Sequence, residues 1–276
     1  MNIAVIVTTY NRPDALRAVL RGYAAQTDRA FELMVADDGS TADTGELARD
    51  FAARAPFACQ HVWHEDDGFR AAAIRNQAVV ATAADYIVFT DGDCVPPPTF
   101  VERHRALAEP GWFLAGNRLL LSEALTRRVL ASGETIEAWS LGRWMRAWAA
   151  RDINRWVPLI HLPDGAWRKR TARQWEGVKT CNLSVWRDDL VHVNGLDETY
   201  TGWGMEDSDF VVRLLRSGIR HKSARFAAPV FHLWHRENVR SHLPENQARL
   251  REVLAAAHIR AQRGLDRYLS DTEVAT

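Results

Sequence analysis

The sequence contains few cysteines, and their spacing excludes two kinds of cross-link. Only Cys59, Cys94 and Cys181 occur among 276 residues, far apart and without a C-x-x-C pair. An odd and scattered set of thiols neither builds a disulfide framework nor matches the paired ligands of a structural zinc site. The composition therefore predicts a protein of a reducing cytoplasm, and a chain of this length can bury a full hydrophobic core.

Long apolar runs and an excess of one charge are also missing. No stretch approaches the roughly 18 consecutive apolar residues of a membrane-spanning helix. The opening MNIAVIVTTYNRP has no basic leader, so we expect a core strand there and no signal peptide. Basic and acidic residues number 35 each, which gives no reason to expect a nucleic-acid partner. We expect a cytoplasmic protein that at most contacts the inner face of a membrane.

The first hundred residues alternate between strand-like and helix-like patterns. The apolar runs IAVIVTT, FELMVA, ACQHVW and YIVFT are separated by helical patterns at 13–25, 43–54 and 70–82. This alternation predicts the α/β class, with a mostly parallel sheet flanked by helices. Ligands of such sheets bind beyond the carboxyl ends of the strands, where TTYNRP, ADDGST, HEDDGFR and DGDCVPP fall.

The rest of the chain divides by composition. Residues 111–175 lose the strand rhythm and are rich in Trp and Arg, which predicts one or two helices and a long loop. Residues 176–241 contain a short strand with a helix, a loop with a second helix, and the strand PVFHLWHREN. We expect one domain over 1–241, its first part being 1–110, followed over 242–276 by a helix and a frayed tail.

Two aspartates follow the fourth predicted strand. Asp91 and Asp93 flank Gly92, whose freedom of conformation lets both carboxylates face one cavity. Like charges so close repel each other unless a cation lies between them, and Mg²⁺ or Mn²⁺ takes carboxylate oxygens together with substrate phosphates. The alternative is a plain Asp-Gly turn between a strand and a helix.

The second strand ends in a similar acidic turn. Asp37 and Asp38 can cap the following helix, or Asp38 can accept hydrogen bonds from a nucleobase. Arg70 and Arg75 lie five residues apart near the start of one predicted helix. A guanidinium there can bind a diphosphate or pair with a carboxylate, although a solvated helix face is the commoner role.

A third acidic cluster begins a helix in the segment GWGMEDSDF. Glu206, Asp207 and Asp209 suit the positive end of the helix dipole, so capping alone can explain them. Trp203, followed by Gly204, offers an aromatic plane for a sugar face beside a carboxylate that can accept a proton. Near the end of the domain, His232 and His235 lie three apart and are either satisfied surface histidines or metal ligands.

These motifs together resemble a known family. The segments VTTYNRPDAL, ADDGST, GFRAAAIRNQAV, YIVFTDGDCVPPPTF and GWGMEDSDF occur in the order and spacing found in family 2 glycosyltransferases with the GT-A fold. The likeness covers about 3–105 and 176–236, and is strongest to domains of the chondroitin-polymerase type. The carboxyl half resembles the domain shared by β-1,4-galactosyltransferases and polypeptide N-acetylgalactosaminyltransferases.

The resemblance implies a nucleotide-sugar donor, most often a UDP-sugar, Mn²⁺ or Mg²⁺ as cofactor, and transfer with inversion. It makes 1–110 the nucleotide-sugar-binding half and 176–241 the acceptor and catalytic half, with 111–175 as an insert. The donor residues that it implies are Thr8, Tyr10 and Asp38 for the uridine, Arg70 or Arg75 for the base or diphosphate, and Asp91 for the ribose or the metal.

The same resemblance assigns the metal and the acceptor side. Asp93 corresponds to the direct metal ligand, joined by His235 or His232. Asp207 corresponds to the general base and Glu206 to its acceptor-binding partner. The substrate-binding residues that it implies are Trp203, Gly204 and Asp209.

The insert has three interpretations. Its tryptophans alternate with arginines, the members being Trp139, Trp144, Trp148, Trp156, Arg143, Arg146, Arg151 and Arg155. They can form a packing helix, a wall for a sugar, or a contact with an anionic membrane that would suit a lipid-linked acceptor.

We therefore hypothesise a metal-dependent inverting glycosyltransferase of bacterial surface polysaccharide synthesis, acting on a saccharide or lipid-linked acceptor. One rival is a nucleotidyltransferase, which would need a Gly-rich phosphate loop and a lysine where this chain has TTYNRP. The other is a domain that binds sugars or nucleotide sugars without turnover, against which the complete set of Asp91, Asp93 and Asp207 counts.

Overall fold

The computed structural model describes residues 1–236 and 240–269. Its strands are β1 Ile3–Thr9, β2 Phe31–Asp37, β3 Cys59–Trp63, β4 Tyr86–Asp91, β5 Cys94–Val95, β6 Trp112–Ala115, β7 Arg118–Leu120, β8 Asn182–Trp186, β9 Arg220–Ser223 and β10 Val230–His232. Its α-helices are α1 Pro13–Ala24, α2 Ala42–Ala52, α3 Ala71–Val80, α4 Phe100–Leu107, α5 Glu123–Ser132, α6 Leu141–Ala149, α7 Arg187–His192, α8 Glu206–Arg216 and α9 Leu243–Ala255. None of these helices is long and apolar enough to cross a membrane.

A seven-stranded sheet with helices on both faces dominates the fold, as the α/β pattern predicts. Its strand order is β3-β2-β1-β4-β8-β6-β9. The first four strands are parallel, and β8 runs antiparallel to both of its neighbours. The carboxyl ends of β1, β2 and β4 therefore meet at one edge, where the polar loops were expected to converge.

Both faces of the sheet are buried, which explains why β1 reads as an uninterrupted apolar run. Side chains alternate between faces along a strand, so Val5 and Val7 enter one core cluster while Ala4 and Ile6 enter the other. Helices α1 and α2 cover the first face, and α3 and α8 cover the second.

The segment 111–175 contains strands as well as two helices, where one or two helices were expected. Strand β6 lies inside the main sheet between β8 and β9, and β7 belongs to a second sheet. The expectation that this segment has no strands is wrong, because strands of three or four residues are too short to show a periodic pattern. Of its tryptophans, Trp144 is buried in the core and only Trp148 is largely exposed.

A second sheet of order β5-β10-β7 lies beside the main one. Its register pairs His232 of β10 with Cys94 of β5 in antiparallel orientation, and the amide of Leu233 donates to the carbonyl oxygen of Asp93 at 2.8 Å. The histidine strand is thus fixed directly against the Asp-Gly-Asp turn, although the two are about 140 residues apart in the sequence.

The C-terminal helix is shorter than expected, and the segment after it is packed against the core. Helix α9 ends at Ala255, while a 3₁₀ turn at Leu265–Arg267 places Leu265 fully inside the core. The tail that we expected to be frayed is therefore folded as far as residue 269, and its remainder at 270–276 lies outside the described residues.

Candidate active site

The Asp-Gly-Asp turn sits at the end of β4, in the middle of the main sheet. The amide of Gly92 donates to the carbonyl oxygen of Thr8 at 2.7 Å, which brings the turn against β1. A Cβ atom at position 92 would lie 2.8 Å from the side chain of Thr9, so only glycine fits this approach. The turn aims Asp91 and Asp93 at different partners.

Asp91 faces Arg75, a buried side chain of α3. The guanidinium donates to Asp91 Oδ1 at 3.1 Å through Nη2 and to Thr8 Oγ1 at 3.0 Å through Nε. Its third nitrogen, Nη1, lies 3.6 Å from Glu206 Oε1 at the start of α8. Arg75 was expected either to bind a diphosphate or to pair with a carboxylate, and in the structure it pairs with carboxylates. Arg75 thereby connects β1, β4 and α8.

Asp93 faces the two histidines. Its carboxylate oxygens lie 3.7 Å from His232 Nε2 and 3.3 Å from His235 Nε2, and the two imidazole rings are 5.2 Å apart. Both histidines, not one of them, approach the aspartate. Asp91 instead pairs with Arg75.

The residue types of this cluster suit a divalent cation, and Asp93, Cys94 and His232 are the members whose ligand atoms all lie within 4.8 Å of one another. His235 Nδ1 lies 2.6 Å from the carbonyl oxygen of Arg236, which can only accept, so Nδ1 carries a proton and Nε2 is the ring nitrogen that faces Asp93. Burial lowers the pKa of His232 below its usual 6.5 despite Asp93, and this lowering favours a neutral ring. One carboxylate and two imidazole nitrogens suit Mn²⁺ or a similar ion.

Cys94 is close to the same cluster but is a weaker candidate ligand. Its sulfur lies within 4.8 Å of ligand atoms of Asp93 and His232. Burial raises the pKa of this thiol well above 9.0, and the thiolate is the form that binds metals. Arg118 of β7 adds a positive charge near both aspartates, a contribution that the sequence did not reveal.

Asp207 is held at the start of α8 by two residues that precede β8. Thr180 Oγ1 donates to Asp207 Oδ1 at 2.5 Å, and Lys179 Nζ lies 3.9 Å from Oδ2. Asp207 and Glu206 are each 8% exposed. Burial and the neighbouring Asp207 raise the pKa of Glu206 to about 7. Burial likewise raises the pKa of Asp91 to about 6, against the lowering effect of Arg75.

Some polar atoms of this group have no hydrogen-bond partner. Glu206 Oε2 and Arg75 Nη1 are buried without one among the described residues. Native proteins pair almost all buried polar atoms, so unpaired ones at a cleft indicate a ligand that completes them. The sequence did not reveal Thr180 or Lys179, since nothing in their local pattern points to a carboxylate 27 residues away.

The loop before α8 has an unusual backbone. Gly202, Gly204 and Met205 have φ values of +69°, +107° and +78°. A positive φ is disfavoured for a residue that carries a side chain, such as Met205, and such backbone strain is typical of functional sites. The loop presents Trp203, half-buried, with the Arg240 guanidinium 5.0 Å from its ring centroid.

The acidic turn after β2 is fully satisfied by protein groups. Asp38 Oδ1 pairs with His64 Nε2 at 2.7 Å, and Oδ2 accepts from the amide of Arg70 at 2.9 Å. Asp37 accepts from the amide of Ser40 and pairs with His61, both at 2.9 Å. It therefore has a structural role in the turn, but it does not cap α2, whose N-cap residue is Thr41. The contacts of His61 and His64 with these aspartates were not predicted from the sequence.

Tyr10 and Arg70 lie at the outer side of this turn. Tyr10 is 45% exposed, and its hydroxyl donates to Asp66 Oδ2 at 3.0 Å. Arg70 precedes α3 as its capping residue, and its guanidinium contacts the carbonyl oxygen of Glu65 and the carboxylate of Asp67.

Asp209 does not face the cleft, which corrects the expectation of a substrate contact. It is 0% exposed, and its Oδ2 accepts from Arg213 Nε and Nη2 at 2.8 and 2.7 Å. Arg213 also donates to the carbonyl oxygens of Val193 and Gly195. The pair fastens α8 to the segment after α7, and the i,i+4 spacing was a signal for it.

The described cavities lie apart from these carboxylates. One of about 450 Å³ is at the far end of α8, between Trp175, Leu215 and Leu254. Another of about 270 Å³ is lined by Trp167, His221 and Phe226 and reaches Val178, two residues before Thr180.

The fold and the carboxylate arrangement define a class of protein, the GT-A glycosyltransferases. Their family models match the whole site region: "Glycosyl transferase family 2" covers residues 4–165, and "N-terminal domain of galactosyltransferase" covers 166–236. The chain belongs to glycosyl transferase family 2. The matches also run through the segment 111–175, which the resemblance seen in the sequence does not cover.

Curated relatives share about a quarter of the aligned residues. A validoxylamine A glucosyltransferase of Streptomyces hygroscopicus is 27% identical over 79% of this chain and 52% of its own length. A chondroitin synthase of Escherichia coli is 24% identical over 82% of this chain and 34% of its own length. The chain thus spans about half or less of these relatives.

Solved structures have the same fold at lower identity. The mannosyltransferase PcManGT from Pyrobaculum calidifontis, in complex with GDP-Man and Mn²⁺, has a TM-score of 0.62 at 17% identity, over 93% of this chain and 69% of its own. A fragment of S. aureus TarS in complex with UDP-GlcNAc has a TM-score of 0.59 at 15% identity, over 97% of this chain and 69% of its own.

Proposed function

We propose that the chain is a metal-dependent inverting glycosyltransferase that moves a sugar from a nucleotide sugar, a UDP-sugar by preference, to a saccharide or lipid-linked acceptor. One observation carries this proposal. Arg75 joins Asp91, beside the Asp93–histidine cluster, to Glu206, beside Asp207, so a metal centre and a candidate base lie on either side of one guanidinium.

The donor would bind along the edge formed by β1, β2 and β4. Tyr10 and Arg70 flank the place for a base, and Asp38 holds the loop that carries Arg70. The family membership and the nucleotide sugars bound by the two structural neighbours support such a donor. Thr8 and Asp91 act mainly on Arg75 in this arrangement, and so keep the turn in position.

The diphosphate would lie over Asp93, His232 and His235. A divalent cation bound by these residues supplies positive charge that offsets the charge growing on the departing nucleoside diphosphate. Arg118 adds to the positive potential near the same turn.

Asp207 would act as the base on the acceptor side. As the acceptor oxygen forms its bond to the anomeric carbon, the carbon–oxygen bond to the diphosphate breaks, and the acceptor proton passes to Asp207. Thr180 donates to Oδ1 of Asp207, which leaves Oδ2 for that proton. A single displacement with one base inverts the anomeric configuration.

Glu206 would bind the acceptor. Its unpaired Oε2 can accept from a sugar hydroxyl, and Trp203 can stack on the sugar face beside it. The cavity lined by Trp167, Phe226 and Val178 offers further aromatic surface for the rest of a saccharide. A glycan of a bacterial surface polysaccharide is the acceptor that we propose, by analogy with the chondroitin synthase relative.

The direct test is a panel of UDP-sugars and GDP-sugars with and without Mn²⁺. We expect nucleoside diphosphate to be released from at least one donor, release to stop with EDTA, and Mn²⁺ to restore it. Transfer to a saccharide should give a β-linked product from an α-linked donor, as judged by NMR.

Two outcomes would contradict the proposal. Tight binding of a nucleotide sugar without release from any donor would favour the binding domain. Pyrophosphate release from a nucleoside triphosphate and a sugar phosphate would favour the nucleotidyltransferase.

A further inference from the structure

Exposed apolar side chains are concentrated in one short segment. Eleven large apolar or aromatic side chains are exposed among the described residues, and six of them lie in 141–162. These six are Leu141, Met145, Trp148, Val157, Ile160 and Leu162, with exposures between 38% and 48%. We call this set the 141–162 surface. Contiguous exposed apolar side chains mark an interaction site, whereas scattered ones do not, and three of the six share one helix, α6.

Helix α6 has two apolar faces, and only one of them is packed. Trp144 and Ala147 are buried, and the Trp144 ring stacks on Phe231 with centroids 4.4 Å apart. Leu141, Met145 and Trp148 follow at i, i+4 and i+7, so they form a stripe that points away from the core. The packed face explains why the helix forms, but it does not explain the stripe.

The charges around the stripe are almost all positive. Arg146, Arg151 and Arg155 are exposed, and none of them forms an ion pair among the described residues. The only acidic residue between 138 and 163 is Asp152. Its carboxylate is engaged by Arg128 at 3.3 Å and Ser122 at 3.1 Å. The surface therefore combines apolar side chains with cations that lack partners.

The 141–162 surface is fixed to the strand of the metal cluster. Phe231, under Trp144, directly precedes His232. The amide of Asn154 donates to the carbonyl oxygen of Leu120 in β7 at 3.1 Å, and β7 pairs with β10. Whatever covers the surface is thus held at a fixed position relative to the candidate active site.

We propose that the 141–162 surface docks on an anionic lipid bilayer. The stripe of Leu141, Met145 and Trp148 enters the boundary between headgroups and acyl chains, and the free arginines contact lipid phosphates. An amphipathic helix with tryptophan on its apolar face and arginines beside it is suited to this interface. A protein partner would need acidic groups around an apolar groove, whereas the stripe stands out from the surface.

The first test measures binding to vesicles and needs no knowledge of the enzymatic substrates. The protein is sedimented with vesicles of phosphatidylcholine alone or of phosphatidylcholine mixed with phosphatidylglycerol. We expect binding to be at least about tenfold tighter with the anionic lipid and to weaken as the ionic strength rises. Equal binding to both vesicles, or binding to neither, would overturn the proposal.

Two exposed tryptophans provide a matched pair for the apolar part. Trp148 is 48% exposed and Trp63, on the edge strand β3, is 50% exposed. Trp148→Ser should weaken binding to the anionic vesicles by about tenfold or more, since it removes the aromatic surface that would be buried in the bilayer. Trp63→Ser should leave it unchanged. Equal effects of the two substitutions would overturn the proposal.

The arginines allow a second matched comparison. Replacing Arg146, Arg151 and Arg155 by Gln should lower vesicle binding by at least about tenfold. Replacing the exposed Arg17, Arg29 and Arg54 by Gln removes the same charge elsewhere and should have little effect. Equal losses would mean non-specific attraction, and would overturn the proposal. A dimer in solution that Trp148→Ser abolishes, without any vesicle binding, would instead assign the surface to a second copy of the chain.

Discussion

Two acidic clusters lie near the same edge of the sheet, but their hydrogen bonding differs. The carboxylates after β2 are complete without a ligand, because each oxygen of Asp37 and Asp38 has a protein partner. The cluster around α8 is incomplete. Glu206 Oε2 and Arg75 Nη1 are buried without hydrogen-bond partners among the described residues.

The cluster around α8 also has an unusual backbone conformation and a carboxyl group with a raised pKa. The loop before α8 contains Met205 in the left-handed region, and burial raises the pKa of Glu206. The first cluster therefore supports the donor edge with all of its hydrogen bonds formed. The second cluster keeps buried polar atoms unpaired, at a cost in stability, in a site that a ligand completes. Each of the following predictions tests this contrast.

The largest effect is expected for Asp207→Asn, which removes the base. The rate of transfer should fall by about 10²–10⁴, while donor binding with Mn²⁺ remains almost unchanged, because Asp207 faces the acceptor. Steady-state kinetics and calorimetric titration measure the two quantities. Asp188 is a matched control, since it is the second residue of α7 as Asp207 is of α8, and it is exposed. Near-normal turnover of the Asp207 variant would exclude this residue as the base.

Asp209→Ala should cause the largest loss of stability. Removing the carboxylate leaves the fully buried Arg213 without its ion pair, which costs about 3–5 kcal/mol of unfolding free energy. Urea denaturation measures the loss, with Asp50→Ala on the exposed face of α2 as the control. A variant as stable as the control, but defective in acceptor binding, would return Asp209 to the substrate site.

His235→Ala and His232→Ala test the metal cluster. Each should weaken Mn²⁺-dependent binding of a nucleoside diphosphate by at least about tenfold, because each removes a nitrogen that faces Asp93. Titration calorimetry with and without Mn²⁺ measures this effect. His192→Ala, at an exposed position in α7, is the control. If one histidine variant bound as tightly as the native protein, that histidine would be no ligand.

Gly92→Ala should lower the unfolding free energy by about 1–3 kcal/mol, because the new methyl group would lie 2.8 Å from Thr9. Gly142→Ala is the matched comparison. Its methyl group meets no atom within 4 Å, and in helix α6 it should raise stability by about 0.5–1 kcal/mol. Thermal or urea denaturation measures both. Similar changes for the two glycines would mean that the approach of the turn to β1 is not tight.

The last prediction concerns pH. Burial raises the pKa of Glu206 from 4.5 to about 7, so the folded protein holds this proton more tightly than the unfolded chain does. The unfolding free energy should therefore fall between about pH 4.5 and pH 7 and then level off. Glu206→Gln should reduce this fall, as measured by urea denaturation in EDTA, whereas Glu176→Gln at an exposed position should not. An identical pH dependence in all three proteins would contradict the proposed burial.

The parts of the fold that the sequence predicts are those with long patterns. Strands β1, β2 and β4 have six or seven residues, and the polar loops after them follow from their parallel direction. Strands β6, β7 and β9 have only three or four residues, and their places depend on long-range pairing. Such pairing has no local signature, so the strands of the insert were missed.

The residues of the site likewise divide into those that a local sequence motif predicts and those that only long-range contacts bring together. Asp91, Asp93 and Asp207 are visible as motifs because their neighbours in the chain restrict the backbone. The contacts of Thr180, Lys179 and Arg118 are not visible, since each reaches the cluster from a distant strand or loop. The role of Asp209 was open to prediction from its i,i+4 spacing to Arg213, but its position beside Asp207 favoured the wrong interpretation.

The most direct test of the account is a Mn²⁺ titration followed by electron paramagnetic resonance in the presence of UDP. The account predicts one bound ion per chain in the native protein and in Asp207→Asn, and none at the same concentrations in Asp93→Ala. Full binding of Mn²⁺ by the Asp93 variant, or its loss in the Asp207 variant, would contradict the division of this cleft into a metal side and a base side.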